Sequence, residues 1–174
     1  MATIHKNLSV IEGALPSASG MKFGIVVSEW NTQVTAALLD GAMRTLVAAG
    51  CAESDITVKR VPGTVELTLG AQFFAEYTDV DAVIALGCVV QGETRHFDYV
   101  CQSVTQGVTD VMLTWNMPVA FGVLTTDDMQ QALDRSGGKY GNKGDEAAAA
   151  AIQMVHLQDE MDTEENALDR KAIN

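Results

Sequence analysis

The chain has 174 residues, 47% of them hydrophobic, with 11 basic against 23 acidic side chains and a formal charge of −12. A chain of that length forms one domain able to bury about 70% of the surface its unfolded form exposes, and the hydrophobic share excludes a disordered polymer. The acidic balance excludes nucleic acid and anionic membranes as partners, because both demand a basic footprint.

No apolar stretch approaches the ~20 residues that span a bilayer, and "MATIHKNLSV" lacks the apolar centre of a signal peptide, so the expected location is cytoplasmic. Cys51, Cys88 and Cys101 are odd in number and show no CxxC spacing. They predict neither a disulfide framework nor a zinc site, and read as small hydrophobes in a reducing compartment.

The first stretch, "NLSVIEG", is expected to add one short edge strand ahead of the turn-rich "ALPSASG". "KFGIVVS" (22–28) then reads as a strand. Over 32–49, Val34, Leu38, Ala42 and Leu46 recur every fourth residue beside Leu39 and Met43, which predicts a helix stopped by Gly50. "ITVKRV" (56–61) is a strand and "VELTLGAQFFAEY" (65–77) a helix. "DAVIALGCVV" (81–90) leads into a long helix over 97–116, ended by Asn116 and Pro118. "MPVAFGVLT" (117–125) is the fourth strand, followed by helices over 127–137 and 144–158. The runs 82–90 and 118–124 are apolar almost without interruption, as in strands covered on both faces.

Alternating strands and helices predict an α/β chain, a three-layer α/β/α sandwich built on a parallel sheet. The domain is expected to cover 1–158. Residues 159–174 carry Asp159, Glu160, Asp162, Glu164, Glu165 and Asp169 against Arg170 and Lys171, and read as a solvated, mobile acidic tail.

Open parallel sheets bind ligands outside the carboxyl ends of their strands. That rule selects "SEWN" (28–31), "VPGTVE" (61–66), "VQGETRH" (90–96) and "TTDD" (125–128). Trp30, an aromatic among polar neighbours, and His96, at the mouth of a long helix, are the least expected residues there. Taken singly, each has an ordinary structural reading. Glu66 suits a helix N-terminus, Gly63 and Gly92 suit turns, and Arg135 and Lys143 frame what could be a plain helix-to-helix connection. Nucleotide-binding versions of this architecture are disfavoured. "GGKYGNKG" departs from GxxxxGK(S/T), with Asn142 five places beyond Gly137, and "VVSEWNTQ" has no glycine after the first strand.

Five ordered blocks, "GIVVSEWN", "VPGTVEL", "GCVVQGETRHFDYVC", "FGVLTTDD" and "DRSGGKYGNKGDEAA", together resemble the lumazine synthase family over roughly 20–156. The resemblance implies a flavodoxin-like fold with a four-stranded parallel sheet, a homo-oligomer built of pentamers or of twelve pentamers in an icosahedral shell, and active sites at subunit interfaces. It implies condensation of 5-amino-6-(D-ribitylamino)uracil with 3,4-dihydroxy-2-butanone 4-phosphate to 6,7-dimethyl-8-ribityllumazine, phosphate and water. Neither cofactor nor metal takes part, and riboflavin synthase is a further partner it raises.

By the same resemblance, Trp30 stacks on the pyrimidine, Thr64, Val65 and Glu66 line its pocket with Asn31 nearby, and Glu66 takes the ribityl hydroxyls. Cys88, Val89 and Val90 form the wall at the strand end. Phe121 reaches the pocket from a neighbouring subunit. Glu93 and Thr94 hold the phosphate with Arg135, Lys143 is a supporting cation, and His96 carries protons in the same cavity.

Independent chemistry agrees. Schiff-base formation, phosphate elimination and ring closure all move protons near neutrality, where histidine titrates most readily. A leaving phosphate calls for convergent N–H donors and a planar cationic fork. Gln91, Arg95 and Val65 stand where relatives often carry other residues, and an arginine beside His96 would favour its neutral, basic form. A flavin- or lumazine-binding relative without catalysis, or a shell-forming one, is the alternative, and a passive pocket needs neither His96 nor Arg135. The short connection "SGGKYGNKG" resembles that of shell-forming members.

Overall fold

The computed structural model describes residues 7–11 and 13–172, with side chains through Thr163. Its elements run β1 (Phe23–Ser28), α1 (Thr32–Ala48), a 3-10 turn (Glu53–Asp55), β2 (Ile56–Val61), α2 (Leu67–Tyr77), β3 (Ala82–Val90), α3 (His96–Trp115), β4 (Val119–Thr126), α4 (Met129–Asp134), β5 (Ser136–Gly138), β6 (Gly141–Asn142) and α5 (Lys143–Ala172). Four strands form one sheet in the order β2-β1-β3-β4, every pair parallel. The expected four-stranded α/β sandwich is what the chain forms.

Strand order dictates where the chain can hold a ligand. From β1 the chain crosses to β2 on one side, then returns past β1 to β3 on the other. Right-handed crossovers in opposite directions put their helices on opposite faces and leave a crevice where the direction reverses. Accordingly α1 packs with α5 over Phe23, Ile25, Val27, Ile84 and Leu86. On the far face α2 and α3 cover Val26, Val83 and Ala85. The crevice opens between the carboxyl ends of β1 and β3.

β1 is buried throughout and β3 is buried up to Cys88, as central strands covered on both faces must be. The continuous apolarity of 118–124 has the same cause, since Ala120 and Leu124 pack into the α1/α5 layer and Val119, Phe121 and Val123 into the α2/α3 layer. β4 is an edge strand, and its Ala120 and Phe121 are only half-buried. An edge strand with half-covered apolar residues is suited to further contact. α1 ends at Gly50, as expected, with φ at +98° in the left-handed region that favours glycine.

Three expectations need correction. Among the described residues of the 7–13 stretch there is no edge strand; residues 7–9 instead turn onto the β5–β6 hairpin. The Leu8 N–H donates to the Tyr140 carbonyl at 2.7 Å and the Asn142 N–H to Ser9 Oγ at 2.9 Å. The connection between α4 and α5 is not plain loop but that hairpin, held by the buried Asn142, whose Nδ2 donates to the Ala37 carbonyl at 2.7 Å. Finally, α5 does not stop at 158 but runs to Ala172. Charge suggested a break, yet no Gly or Pro follows Gly144, and Ala, Glu, Leu, Gln and Lys all favour helix. The acidic segment therefore continues the helix instead of leaving it.

Candidate active site

A cleft of about 530 Å³ lies at the crevice. The end of β1 contributes Trp30 and Asn31, the turn after β2 contributes Gly63, Thr64, Val65 and Glu66, and the end of β3 contributes Cys88, Val89 and Val90. α3 adds His96 and Val100. Nine of these are residues singled out from the sequence. Val100, one turn along α3 from His96, was missed, although i,i+4 spacing puts it on the same helix face. Gly63 was read only as a turn residue.

Asn31 sets the geometry at the β1 side. Its backbone is left-handed, φ 59° and ψ 46°, a conformation that asparagine tolerates better than most residues. Its side chain does not cap α1. Instead Nδ2 donates to the Cys88 carbonyl at 3.0 Å, bracing the β1 turn against the end of β3. The Thr32 hydroxyl donates to the Glu29 carbonyl at 2.7 Å and the Glu29 N–H to the Val61 carbonyl at 2.9 Å, so three strands are tied at this edge. Trp30 rides on the braced turn with 72% of its surface exposed. A large exposed aromatic that lines the same cleft as the apolar end of β3 can serve as a stacking platform. Asn31→Ala should cost about 2 kcal/mol in denaturant unfolding, from the lost hydrogen bond plus left-handed backbone, and Asn31→Gly only about 1.

The wall itself is unreactive. Cys88 is buried, and burial pushes its thiol up to about 11, so near neutral pH it stays protonated and is no thiolate nucleophile. Burial likewise raises the Cys101 and Cys51 thiols, and all three cysteines are free.

The loop after β3 leaves the sheet with the Gln91 N–H donating to the Thr126 carbonyl at 2.9 Å. Residues 91–96 are exposed, and the His96 N–H donates to Thr94 Oγ1 at 3.4 Å as α3 begins. No hydrogen bond or ion pair to another described residue occupies the His96 ring. It stands open in the cleft beside Glu66 and Trp30.

Five expected residues do not line the cleft of a single chain: Glu93, Thr94, Phe121, Arg135 and Lys143. Glu93 and Thr94 lie in the exposed loop next to it. Phe121 packs against the α2/α3 layer from β4. Arg135 caps α4, with Nη1 donating to the Gln131 carbonyl at 3.0 Å and its guanidinium 4.8 Å from the Tyr140 ring centre. Lys143 pairs with Glu146 at 3.1 Å. The expected meeting of His96 and Arg135 in one cavity does not occur within one chain. α4 packs through Ala132 and Leu133 into the α1/α5 layer, whereas α3 lies on the opposite face of the sheet. No Arg or Lys is among the described residues that line the cleft. No group of three or more His, Cys, Asp or Glu among the described residues is placed to hold a metal.

The cleft thus offers an aromatic platform, a carboxylate, a neutral apolar wall and an unengaged imidazole. That combination suits holding a flat polar ring with a hydroxylated substituent while protons move. Comparison with known proteins gives the same direction. The family model for 6,7-dimethyl-8-ribityllumazine synthase matches residues 20–159. The 6,7-dimethyl-8-ribityllumazine synthase of Parabacteroides distasonis is 57% identical over 158 residues, covering 90% of this chain and 99% of its own. That of Bacteroides fragilis is 58% identical over 135 residues, covering 78% and 94%. That of Cytophaga hutchinsonii is 54% identical over 155 residues, covering 89% and 98%. With the match spanning both the sheet and every segment of the cleft, the chain belongs to the 6,7-dimethyl-8-ribityllumazine synthase family.

Proposed function

We propose that the cleft between β1 and β3 is where this enzyme, a transferase of riboflavin biosynthesis, condenses 5-amino-6-(D-ribitylamino)uracil with 3,4-dihydroxy-2-butanone 4-phosphate. One observation carries the assignment of the site: His96, Trp30 and Glu66 line a single cleft at the topological switch point. Trp30 stacks on the pyrimidine against the Cys88–Val90 wall, with Thr64 and Val65 closing the side. Glu66 accepts hydrogen bonds from the ribityl hydroxyls. The amine attacks the ketone to form a Schiff base and release water. Phosphate then leaves, and ring closure releases the second water. His96 takes and returns protons through these steps, since it lines the cleft and no described residue bonds its ring. Formation of the lumazine product from the two substrates, followed by absorbance, tests the assignment in wild type and His96→Ala.

The phosphate needs a cation that this cleft lacks within one chain. Arg135 and Lys143 of an adjacent copy supply it in our reading, with Phe121 of that copy sealing the pocket, while Glu93, Thr94 and the backbone N–H groups of their loop face the leaving group. Two features support a site shared between copies. β4 leaves Phe121 half-buried on a sheet edge. α2 also presents Leu69, Phe73 and Tyr77 at four-residue spacing, 50%, 47% and 70% exposed, a stripe suited to covering by protein.

The hairpin between α4 and α5 is short and carries no insertion, which favours a shell of twelve pentamers over a free pentamer. Light scattering on the eluted enzyme should give a mass sixty times that of the chain; a mass of five chains would remove the shell. No helix among the described residues is long and apolar enough to cross a membrane. Three free cysteines suit a cytoplasmic setting.

A further inference from the structure

Gly63 occupies the turn between β2 and α2, and its backbone is not left-handed, so the turn alone does not call for glycine. Its surroundings do. A Cβ built on Gly63 would lie 2.9 Å from Glu66 Oε2 and 3.3 Å from Trp30 Cδ1. The carboxylate and the indole edge therefore both crowd the space beside a bare Cα, and all three residues line the cleft.

Two neighbouring glycines show that this constraint belongs to the site. Gly92 has nothing within 4 Å of where its Cβ would be. A Cβ on Gly87 would strike the fully buried Leu67 at 2.8 Å and the buried Thr64 at 3.2 Å, so that glycine serves close packing. At Gly63 the obstructing groups are the far end of a glutamate and an indole that is 72% exposed. Both can move without disturbing the core. A methyl group there would be accommodated by displacing the ligand-binding groups and not by unfolding the chain.

We propose that Gly63 is a positioning residue that determines recognition of the ribityl-bearing pyrimidine. Its missing side chain lets the Glu66 carboxylate rest beside Trp30. A ring stacked on the indole then delivers its hydroxylated chain directly to a charged acceptor. This rests on the roles given above to Trp30 and Glu66. The phosphate-bearing substrate has no part in it, since its cation comes from elsewhere.

The test measures KM for each substrate on the full-length assembled enzyme, in wild type, Gly63→Ala, Glu66→Ala and the double variant, with far-UV circular dichroism and light scattering on each. Gly63→Ala is expected to raise KM for the ribitylaminouracil about ten-fold, the scale of one weakened charged hydrogen bond, with fold and assembly retained. KM for the butanone phosphate should stay within about two-fold, and Gly63→Ala should add much less than about ten-fold in the Glu66→Ala background, where only the indole is left to crowd. A silent Gly63→Ala beside a damaging Glu66→Ala overturns the inference and leaves the reading of Glu66 standing. Fully additive losses also overturn it, because Gly63 would then act independently of the Glu66 carboxylate. A silent Glu66→Ala removes the role of Glu66 and the inference together. Failure of Gly63→Ala to fold would contradict the claim that only the site requires this glycine.

Discussion

His96→Ala is expected to lower kcat by about 10²-fold, the lower end of what a positioned general acid–base contributes, while melting temperature and assembly stay as in wild type. The contrast between the two readouts follows from geometry. His96 is exposed at the first turn of α3, and no described residue bonds its ring, so removing the imidazole orphans no buried group. A merely structural histidine would give the opposite pattern, a stability loss with activity reduced only in proportion to unfolded enzyme. The loss should fall in kcat more than in either KM, because stacking by Trp30 and acceptance by Glu66 survive the substitution. Steady-state kinetics with both substrates, alongside thermal melts, separates the two patterns.

Arg135→Ala should weaken the butanone phosphate selectively. Each charged hydrogen bond lost is worth about 1.5–3 kcal/mol, so KM for that substrate should rise roughly 10- to 150-fold while KM for the pyrimidine hardly changes. Arg135→Lys should recover little, since an ammonium keeps the charge but not the planar fork. The native guanidinium is already oriented by the Gln131 carbonyl and the Tyr140 ring, which lowers the entropy lost on gripping phosphate. Trp30→Ala should show the reverse selectivity, raising KM for the pyrimidine. Equal losses for both substrates in Arg135→Ala would contradict its assignment.

How much of this was legible in the sequence depended on the range of the interaction concerned. β1, β3 and their helices were readable because burial on two faces writes itself into a short apolar run. The cleft was readable because ligand position follows from strand order, and the residues at two strand ends, Trp30 and His96, were out of place for a buried core. β4 carries the same apolar signal as β3 because both helical layers pack on its faces; its place at the sheet edge concerns backbone hydrogen bonding and leaves no mark in that signal. The brace from Asn31 to Cys88 spans 57 residues and leaves no local pattern. The β5–β6 hairpin was too short for periodicity to register. Charge density reads as a solvated tail after 158, yet residues 159–172 hold no backbone breaker and continue α5. Gly63 looked like any turn glycine until its neighbours were known. The pairing of Arg135 with His96 rests on the family resemblance alone, and no local pattern shows that the crossovers put α4 and α3 on opposite faces of the sheet.

In the proposed enzyme each active site is assembled from two copies, one presenting His96 and the next presenting Arg135. Co-refolding equal amounts of His96→Ala and Arg135→Ala chains tests it most directly. In a ring of heterologous contacts, random mixing leaves about a quarter of the sites with both residues native, so with butanone phosphate held well below the wild-type KM activity should rise to about a quarter of wild type from two parents of low activity. Activity that stays at the level of the parents, in mixed assemblies shown by mass to contain both chains, would contradict a shared site.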